Sequence, residues 1–316
     1  MVFPDCLDAR VLEAAVRLKS EAIAEPVLVQ SPFAVMQKLR ELRLPAPAFT
    51  VVDPKSPELW ERNTELYLTL QKEKGKTLTG VQAKEAMAEP LAAAAMMVRL
   101  GEVEVGIAGN LSSTADVLRA GLGIIPRSKG VKTISSFFLM VSPSGDRNYI
   151  FADCAVVPEP SAETLSDIAV AAAGMADKLL PEKPRVALLS FSTRGSASHP
   201  RAEMVREAAE KARSRASDIL LDGELQFDAA VVPEISELKA PDSVIEGKAN
   251  VFIFPSLEAG NIAYKIVERL AGYTALGPFL QGFEGGWHDL SRGCSARDIF
   301  NITVAAICIK RGGFKR

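Results

Sequence analysis

The stretch VEVGIAGNLSSTADVLRAGL, Val103 to Leu122, decides the architecture. Its first seven residues are apolar apart from Glu104, which suits a strand buried on both faces. A polar loop, Asn-Leu-Ser-Ser-Thr, follows. The next residues carry helical spacing and end at glycine. Strand, polar loop and helix in that order make one βα unit. Parallel strands cannot be joined by a tight turn and need a covering helix between them, so one unit predicts others in series.

The rest of the chain supplies them. PVLVQ (26–30), FTVVD (49–53), RVALLSF (185–191) and NVFIFP (250–255) read as further strands. Helical patterns cover Ala9–Glu21, Pro32–Leu42, Pro57–Lys74, Ala202–Arg215 and Ile262–Ala271. The reading is α/β, with parallel strands and covering helices. The segment 134–157 breaks the alternation. Two apolar runs around Ser-Pro-Ser-Gly-Asp predict a hairpin, which would open a second domain. At 316 residues the chain exceeds one ordinary domain, so two are expected. No fixed-period repeat or low-complexity segment occurs.

Charge and composition exclude several classes. Lys plus Arg total 37 and Asp plus Glu 39, a formal net charge of -2. A nucleic-acid footprint would need a basic surplus, so no nucleic-acid partner is expected. No apolar run approaches the roughly 18 residues of a membrane span, and the first residues lack the basic leader of a signal peptide. Cys6, Cys154, Cys294 and Cys308 stand far apart and form no CxxC pair. That usage fits a reduced, cytoplasmic protein. With only His199 and His288, a histidine-built metal site is not expected.

In α/β folds ligands gather beyond the C-terminal ends of the strands. Four loops there are polar. After VGIAG, Ser112, Ser113 and Thr114 precede a helix, with Arg119 about one turn inside. Hydroxyls, free backbone N–H groups and the positive helix end favour an anion, although the same residues make a plain N-cap. After RVALLSF, the loop STRGSASHP (192–200) offers Ser192, Gly195 and Ser196 for close backbone approach; a surface loop leading to Pro200 is the alternative. After NVFIFP, Asn261, Lys265 and Arg269 share one helical face, a grip for phosphates or simply a solvated stripe.

The fourth loop is GGWHDLSRGCSARDIF, Gly285 to Phe300. Ser291, Arg292 and Gly293 precede a helix start, where an oxyanion would be stabilised. Arginine offers a planar, multi-donor match to phosphate. Ser295 and Asp298 have the spacing of a capping box, so Asp298 reads equally as a chemical group or a cap. A helix N-terminus lowers thiol pKa, which makes Cys294 a rival nucleophile.

With GIAGNLSSTADVLRAGL (106–122), LLSFSTRGSASHP (188–200), LDGELQFDAAVVPE (221–234), FPSLEAGNIAYKIVERL (254–270) and HDLSRGCSARDI (288–299), the chain resembles the phosphate acetyltransferase (phosphotransacetylase) family. It is most similar to the type associated with ethanolamine utilisation, and the resemblance covers nearly the whole chain. It implies an isocitrate/isopropylmalate dehydrogenase-like fold, two α/β domains flanking a cleft, usually as a homodimer. The C-terminal segment would return to the first domain, giving 1–130 plus 285–316 against 131–284. The implied reaction interconverts acetyl phosphate plus coenzyme A with acetyl-CoA plus phosphate. Coenzyme A is then a substrate, and no metal or other cofactor is needed. By the family motif, Ser291, Arg292 and Asp298 match the catalytic set, and Arg119 matches an arginine implicated in substrate or coenzyme A binding.

The chain departs from that pattern in LQKEKG (70–75), where many relatives carry an arginine and this one offers Lys72 and Lys74. A lysine holds phosphate as a point charge without the bidentate fork. On this reading Asp298 takes the proton from the thiol, Ser291 and backbone N–H groups hold the oxyanion, and Arg292 holds the phosphate. Alternatives are an acyl-enzyme on Cys294, a preference for propionyl or butyryl phosphate, a metal- and NAD-dependent decarboxylating dehydrogenase of the same fold, and a non-catalytic scaffold. GLGIIP (121–126) fails the dinucleotide fingerprint at its last position. A bacterial microcompartment is a further expected setting.

Overall fold

The computed structural model describes residues 1–45 and 48–313. The chain divides into two compact units, one of Met1–Lys129 with Phe283–Lys310, the other of Gly130–Gly282 with the residues from Arg311 onward. The sequence reading put all of 285–316 with the first unit. Residues from Arg311 group with the second, where a Cβ on Gly313 would stand 2.6 Å from Lys178 Cα. Residues 314–316 of that segment lie outside the described residues.

The chain first lays down β1 (Val2–Phe3), α1 (Ala9–Ser20), β2 (Val27–Val29), α2 (Pro32–Glu41), β3 (Thr50–Val52), α3 (Pro57–Glu73), α4 (Gly80–Ala88), α5 (Pro90–Arg99), β4 (Val105–Ala108) and α6 (Thr114–Ile124). It then builds the second unit from β5 (Ser135–Val141), β6 (Asn148–Ala152), α7 (Ala162–Leu179), β7 (Arg185–Leu189), α8 (Pro200–Arg215), β8 (Leu220–Leu225), α9 (Phe227–Val231), α10 (Pro233–Lys239), β9 (Val251–Ile253), α11 (Leu257–Ala271) and β10 (Thr274–Gln281). It returns to the first with β11 (Gly286–Asp289) and α12 (Ala296–Lys310).

The first sheet is wholly parallel, in the order β11-β4-β1-β2-β3. β4 is buried at every position, as a strand covered on both faces must be. β1 has only two residues, but both are fully buried. Burying a phenylalanine ring contributes about 1.5–3 kcal/mol, enough to anchor Phe3 between its neighbours. Trp287 on β11 is also fully buried and donates its ring N–H to Val117 O at 3.0 Å. Gly106 and Gly121 make room for it: a Cβ at either would lie 2.5 or 2.8 Å from the indole.

The second sheet runs β10-β5-β6-β9-β7-β8. β5 and β6 form the expected antiparallel hairpin, with Ser142 N donating to Arg147 O at 3.0 Å across the turn. β6, β9, β7 and β8 are parallel, and β10 lies antiparallel on β5. An aromatic core fills this unit, with Phe151 edge-on to Phe252 at 5.4 Å. No helix among the described residues is long and apolar enough to cross a membrane.

Candidate active site

Because β11, β4 and β1 are parallel neighbours, the loops after them leave the sheet at one edge. That edge carries Pro4–Asp8, Gly109–Ser113 and Leu290–Ser295. It brings Ser112, Ser113, Thr114, Ser291, Arg292 and Asp298 onto adjacent strand ends, with Arg119 in α6.

Two buried carboxylates shape these loops. Asp5 Oδ2 accepts the backbone N–H groups of Gly109 (2.9 Å), Leu111 (3.1 Å) and Ser112 (3.1 Å). Its Oδ1 accepts the Ser112 hydroxyl at 2.7 Å. Asp289 Oδ2 accepts the Thr114 hydroxyl at 2.6 Å. The Ser113 hydroxyl caps α6, accepting from Asp116 N at 3.2 Å and donating to Asp116 Oδ2 at 2.7 Å. All three predicted hydroxyls therefore hold the loop together. Positive charge for a ligand must come from elsewhere.

Arg292 supplies it. It is exposed, and among the described residues its guanidinium makes no ion pair. It sits in a tight turn: Cys294 N donates to Ser291 O at 3.0 Å and Gly293 N to the Ser291 hydroxyl at 3.3 Å. The turn leads into α12 through a complete capping box. Asp298 N donates to Ser295 Oγ at 3.1 Å, and Asp298 Oδ2 accepts both Ser295 N and Ser295 Oγ at 2.8 Å. Asp298 Oδ1 takes no part in it. Cys294 is 7% exposed, and burial pushes its thiol up to about 11. At neutral pH only about one such thiol in 10⁴ is ionised, which disfavours the acyl-enzyme alternative.

Sequence reasoning missed Asp5, Asp8, Arg10, Asn110 and Asp289. Asp8 caps α1, and the hydrogen bond from Arg10 holds its carboxyl below the ordinary value. The Asn110 amide is buried and also helps to hold the Asp8 carboxyl low. The signal for the first three was present as Asp-Cys-Leu-Asp-Ala-Arg after Val-Phe-Pro. A two-residue strand hid it.

Asp289 is fully buried, and burial pushes its carboxyl up to about 6, with Asp5 adding like charge. An ordinary aspartate titrates near about 3.9, so the folded state holds the proton more tightly than the unfolded chain. The resulting stability is fully present below about pH 4 and disappears as pH rises through 6, a change of about 3 kcal/mol. We expect Asp289→Asn to flatten the dependence of the unfolding midpoint on pH between 4 and 7. Denaturant unfolding across that window checks it, and an unchanged slope would refute it.

Arg119 is 73% exposed at its side chain and pairs with Asp116. It lines a hollow of about 350 Å³ with Ser112, Tyr67, Glu89 and Leu91. Lys74 does not reach outward. It donates to Leu122 O (2.7 Å) and Gly123 O (2.9 Å) at the end of α6, and burial lowers its pKa. Gln71 donates to the same Gly123 O at 3.1 Å, and Lys72 is exposed.

The remaining predicted residues belong to the second unit, again beyond strand ends. Ser192 is fully buried and donates to Glu224 Oε1 at 2.9 Å; Gly195 N donates to the same oxygen at 2.8 Å. Ser196 Oγ accepts Thr193 N at 3.0 Å. Burial works to raise the Glu224 carboxyl, but hydrogen bonds from Arg206, Gly195 N and Ser192 hold it below its ordinary value. Asn261 donates to Cys154 O at 3.0 Å and accepts from Lys265 at 2.9 Å. Arg269 is 80% exposed beside Glu268. Among the described residues no group of three His, Cys, Asp or Glu side chains is placed to share a metal ion.

Known proteins share this arrangement of strands and loops. The family model described as phosphate acetyl/butaryl transferase matches residues 1–307. A phosphate acetyltransferase of Bacillus subtilis (strain 168) is 42% identical over 304 residues, 96% of this chain and 92% of that relative. A phosphotransacetylase structure from Streptococcus pyogenes superposes with a TM-score of 0.92 at 40% identity, covering 98% of this chain and 94% of that one. For the EutD phosphotransacetylase from Staphylococcus aureus the values are 0.88, 38%, 98% and 93%. A 4-hydroxythreonine-4-phosphate dehydrogenase from Burkholderia phymatum, at 11% identity and a TM-score of 0.51, shares the fold alone. The α/β class read from the residues, and the dehydrogenase-like fold implied by the family resemblance, are therefore the ones observed. With one activity named in relatives at this identity, and a match running from residue 1 to 307, the chain belongs to the phosphate acetyl/butaryl transferase family.

Proposed function

We infer that the protein transfers an acetyl group between acetyl phosphate and coenzyme A. The observation that carries this reading is Arg292, an exposed arginine without an ion-pair partner among the described residues, set beside Ser291 where β11 gives way to α12. Its fork matches a phosphoryl group. The thiol of coenzyme A attacks the acetyl carbonyl as its proton passes to a base. The new C–S bond forms, the C–O bond to phosphate breaks, and phosphate leaves with the electron pair. Asp298 Oδ1, outside the capping box, is the proposed acceptor of the proton. Ser291 and backbone N–H groups at the start of α12 hold the oxyanion, and Arg292 neutralises the leaving phosphate.

Coenzyme A enters as a substrate, and no separate cofactor is proposed. The hollow beside Arg119 is its proposed seat in the first unit, with Ser112, Ser113 and Thr114 shaping the loop above. Within the second unit, Ser196, Lys265 and Arg269 are proposed phosphate contacts, with Ser192, Gly195 and Asn261 holding their surroundings in place. Kinship with a EutD phosphotransacetylase supports a role in ethanolamine utilisation, in the cytoplasm or a microcompartment. The apolar stripe Ile262, Ile266 and Leu270 on α11, exposed at 57, 50 and 84%, supports a homodimer, which sedimentation equilibrium decides.

Purified protein mixed with acetyl-CoA and phosphate is expected to release free thiol, read with a colorimetric thiol reagent. Absence of phosphate-dependent release would sink the reading. Propionyl- and butyryl-CoA rank acyl preference in the same assay. A single methylene changes binding by about 1–3 kcal/mol, so a preference should be measurable.

A further inference from the structure

We propose that Arg10 is the positioning residue that fixes the Ser291–Cys294 turn. It stands in the first turn of α1, after β1, and its planar fork reaches all three loops of the strand edge. Its Nε donates to Asp8 Oδ1 at 3.0 Å and its Nη2 to Asp8 Oδ2 at 2.7 Å, a bidentate pair that aims the guanidinium. Nη1 donates to Arg292 O at 2.8 Å and to Cys294 O at 2.7 Å. Nη2 also reaches Asn110 O at 3.3 Å. The carbonyls on either side of Gly293 are thus held by one nitrogen. The residue touches no reacting atom on this reading; it sets where the backbone of Ser291 and Arg292 lies.

The geometry explains why this position needs arginine. A lysine ammonium is a single point with three donors on a flexible stem. It cannot span the Asp8 carboxylate, the Arg292 and Cys294 carbonyls and the Asn110 carbonyl together. The hydrogen bonds of Arg10 join the loops after β1, β4 and β11 at this edge. The inference rests on the proposed acetyl transfer for its catalytic consequence, while its structural content can be read separately.

The test uses Arg10→Ala and Arg10→Lys in the full chain, with two readouts. The first is the labelling rate of Cys294 by a thiol reagent, followed by mass spectrometry, with fully buried Cys154 as the control for global unfolding. Freeing the turn is expected to speed Cys294 labelling by about tenfold in Arg10→Ala while Cys154 stays protected. The second is steady-state kinetics. A displaced turn is expected to lower kcat about 10²-fold and leave KM for coenzyme A within about twofold. Added guanidinium is expected to restore both protection and turnover to Arg10→Ala, and Arg10→Lys is expected to remain impaired.

Unchanged Cys294 labelling overturns the proposal. Failure of guanidinium to restore either readout also overturns it, because the loss then belongs to packing. Faster labelling with unchanged kcat separates the turn from the chemistry and removes the catalytic consequence. If wild-type protein shows no transfer, the functional reading fails, while the labelling comparison still decides the turn. Should Arg10→Ala not fold, Arg10→Gln takes the same measurements.

Discussion

Arg292→Lys is expected to lower kcat for acetyl transfer about 10²–10³-fold, the loss typical of removing one well-placed donor from a developing charge. The charge survives this change and the fork does not. Lysine would meet the phosphate as a single strongly hydrated point, whereas arginine offers two parallel N–H groups. The unfolding midpoint should stay put. Arg292 is exposed and its side chain makes no ion pair among the described residues, and changes at such sites usually lie within about 0.5 kcal/mol. Steady-state kinetics beside thermal unfolding separates the two effects. Near wild-type turnover would remove the phosphate role from Arg292 and leave the turn without its main chemical function.

The turn itself was legible in the sequence because its chemistry is local. Ser-Arg-Gly-Cys-Ser before an apolar helical run announces a helix start, and the capping box of Ser295 and Asp298 is where the spacing placed it. What the sequence concealed depends on partners far along the chain. Asp5 organises the Asn110 loop from more than a hundred residues away, across neighbouring strands. β8 shows the same limit from the opposite side. It carries Asp222 and Glu224, each 1% exposed at its side chain, on a strand whose pattern therefore does not look apolar. Arg194, Arg206 and Arg213 satisfy those carboxylates. Burying unpaired charge is prohibitive, so such a strand exists only with its arginines, and only the fold shows which those are. In β10, Gly277-Pro278 reads as a break. The chain instead passes through with a register shift between Leu276 and Phe279. Proline's missing donor is tolerated at such an irregularity. This strand lies at the edge of its sheet, where β8 lies at the other.

Gly109→Ala should be strongly destabilising. Gly109 adopts φ +107°, a region that L residues rarely enter, where left-handed backbone costs roughly 1–2 kcal/mol. A Cβ there would also stand 2.0 Å from Asp289 Oδ1 and 2.7 Å from Leu290 N. The Asp289 side chain has little freedom to withdraw, because it is fully buried and accepts the Thr114 hydroxyl. Leu290 N is backbone and cannot rotate away. Crowding of this kind adds about 1–3 kcal/mol, so a total loss of roughly 2–5 kcal/mol is expected. Gly109 N also donates to Asp5 Oδ2 at 2.9 Å, so relief by moving the loop breaks the bonds that shape it. The alternative relief is a shift of Leu290, and Ser291 follows it directly. Molecules that do fold should therefore lose turnover as well as stability, which distinguishes this change from a core substitution far from the loop. Denaturant unfolding with kcat measured at low temperature reads both. A variant with an unmoved midpoint would show that the β4 and β11 loops do not meet at Gly109 as closely as the structure places them.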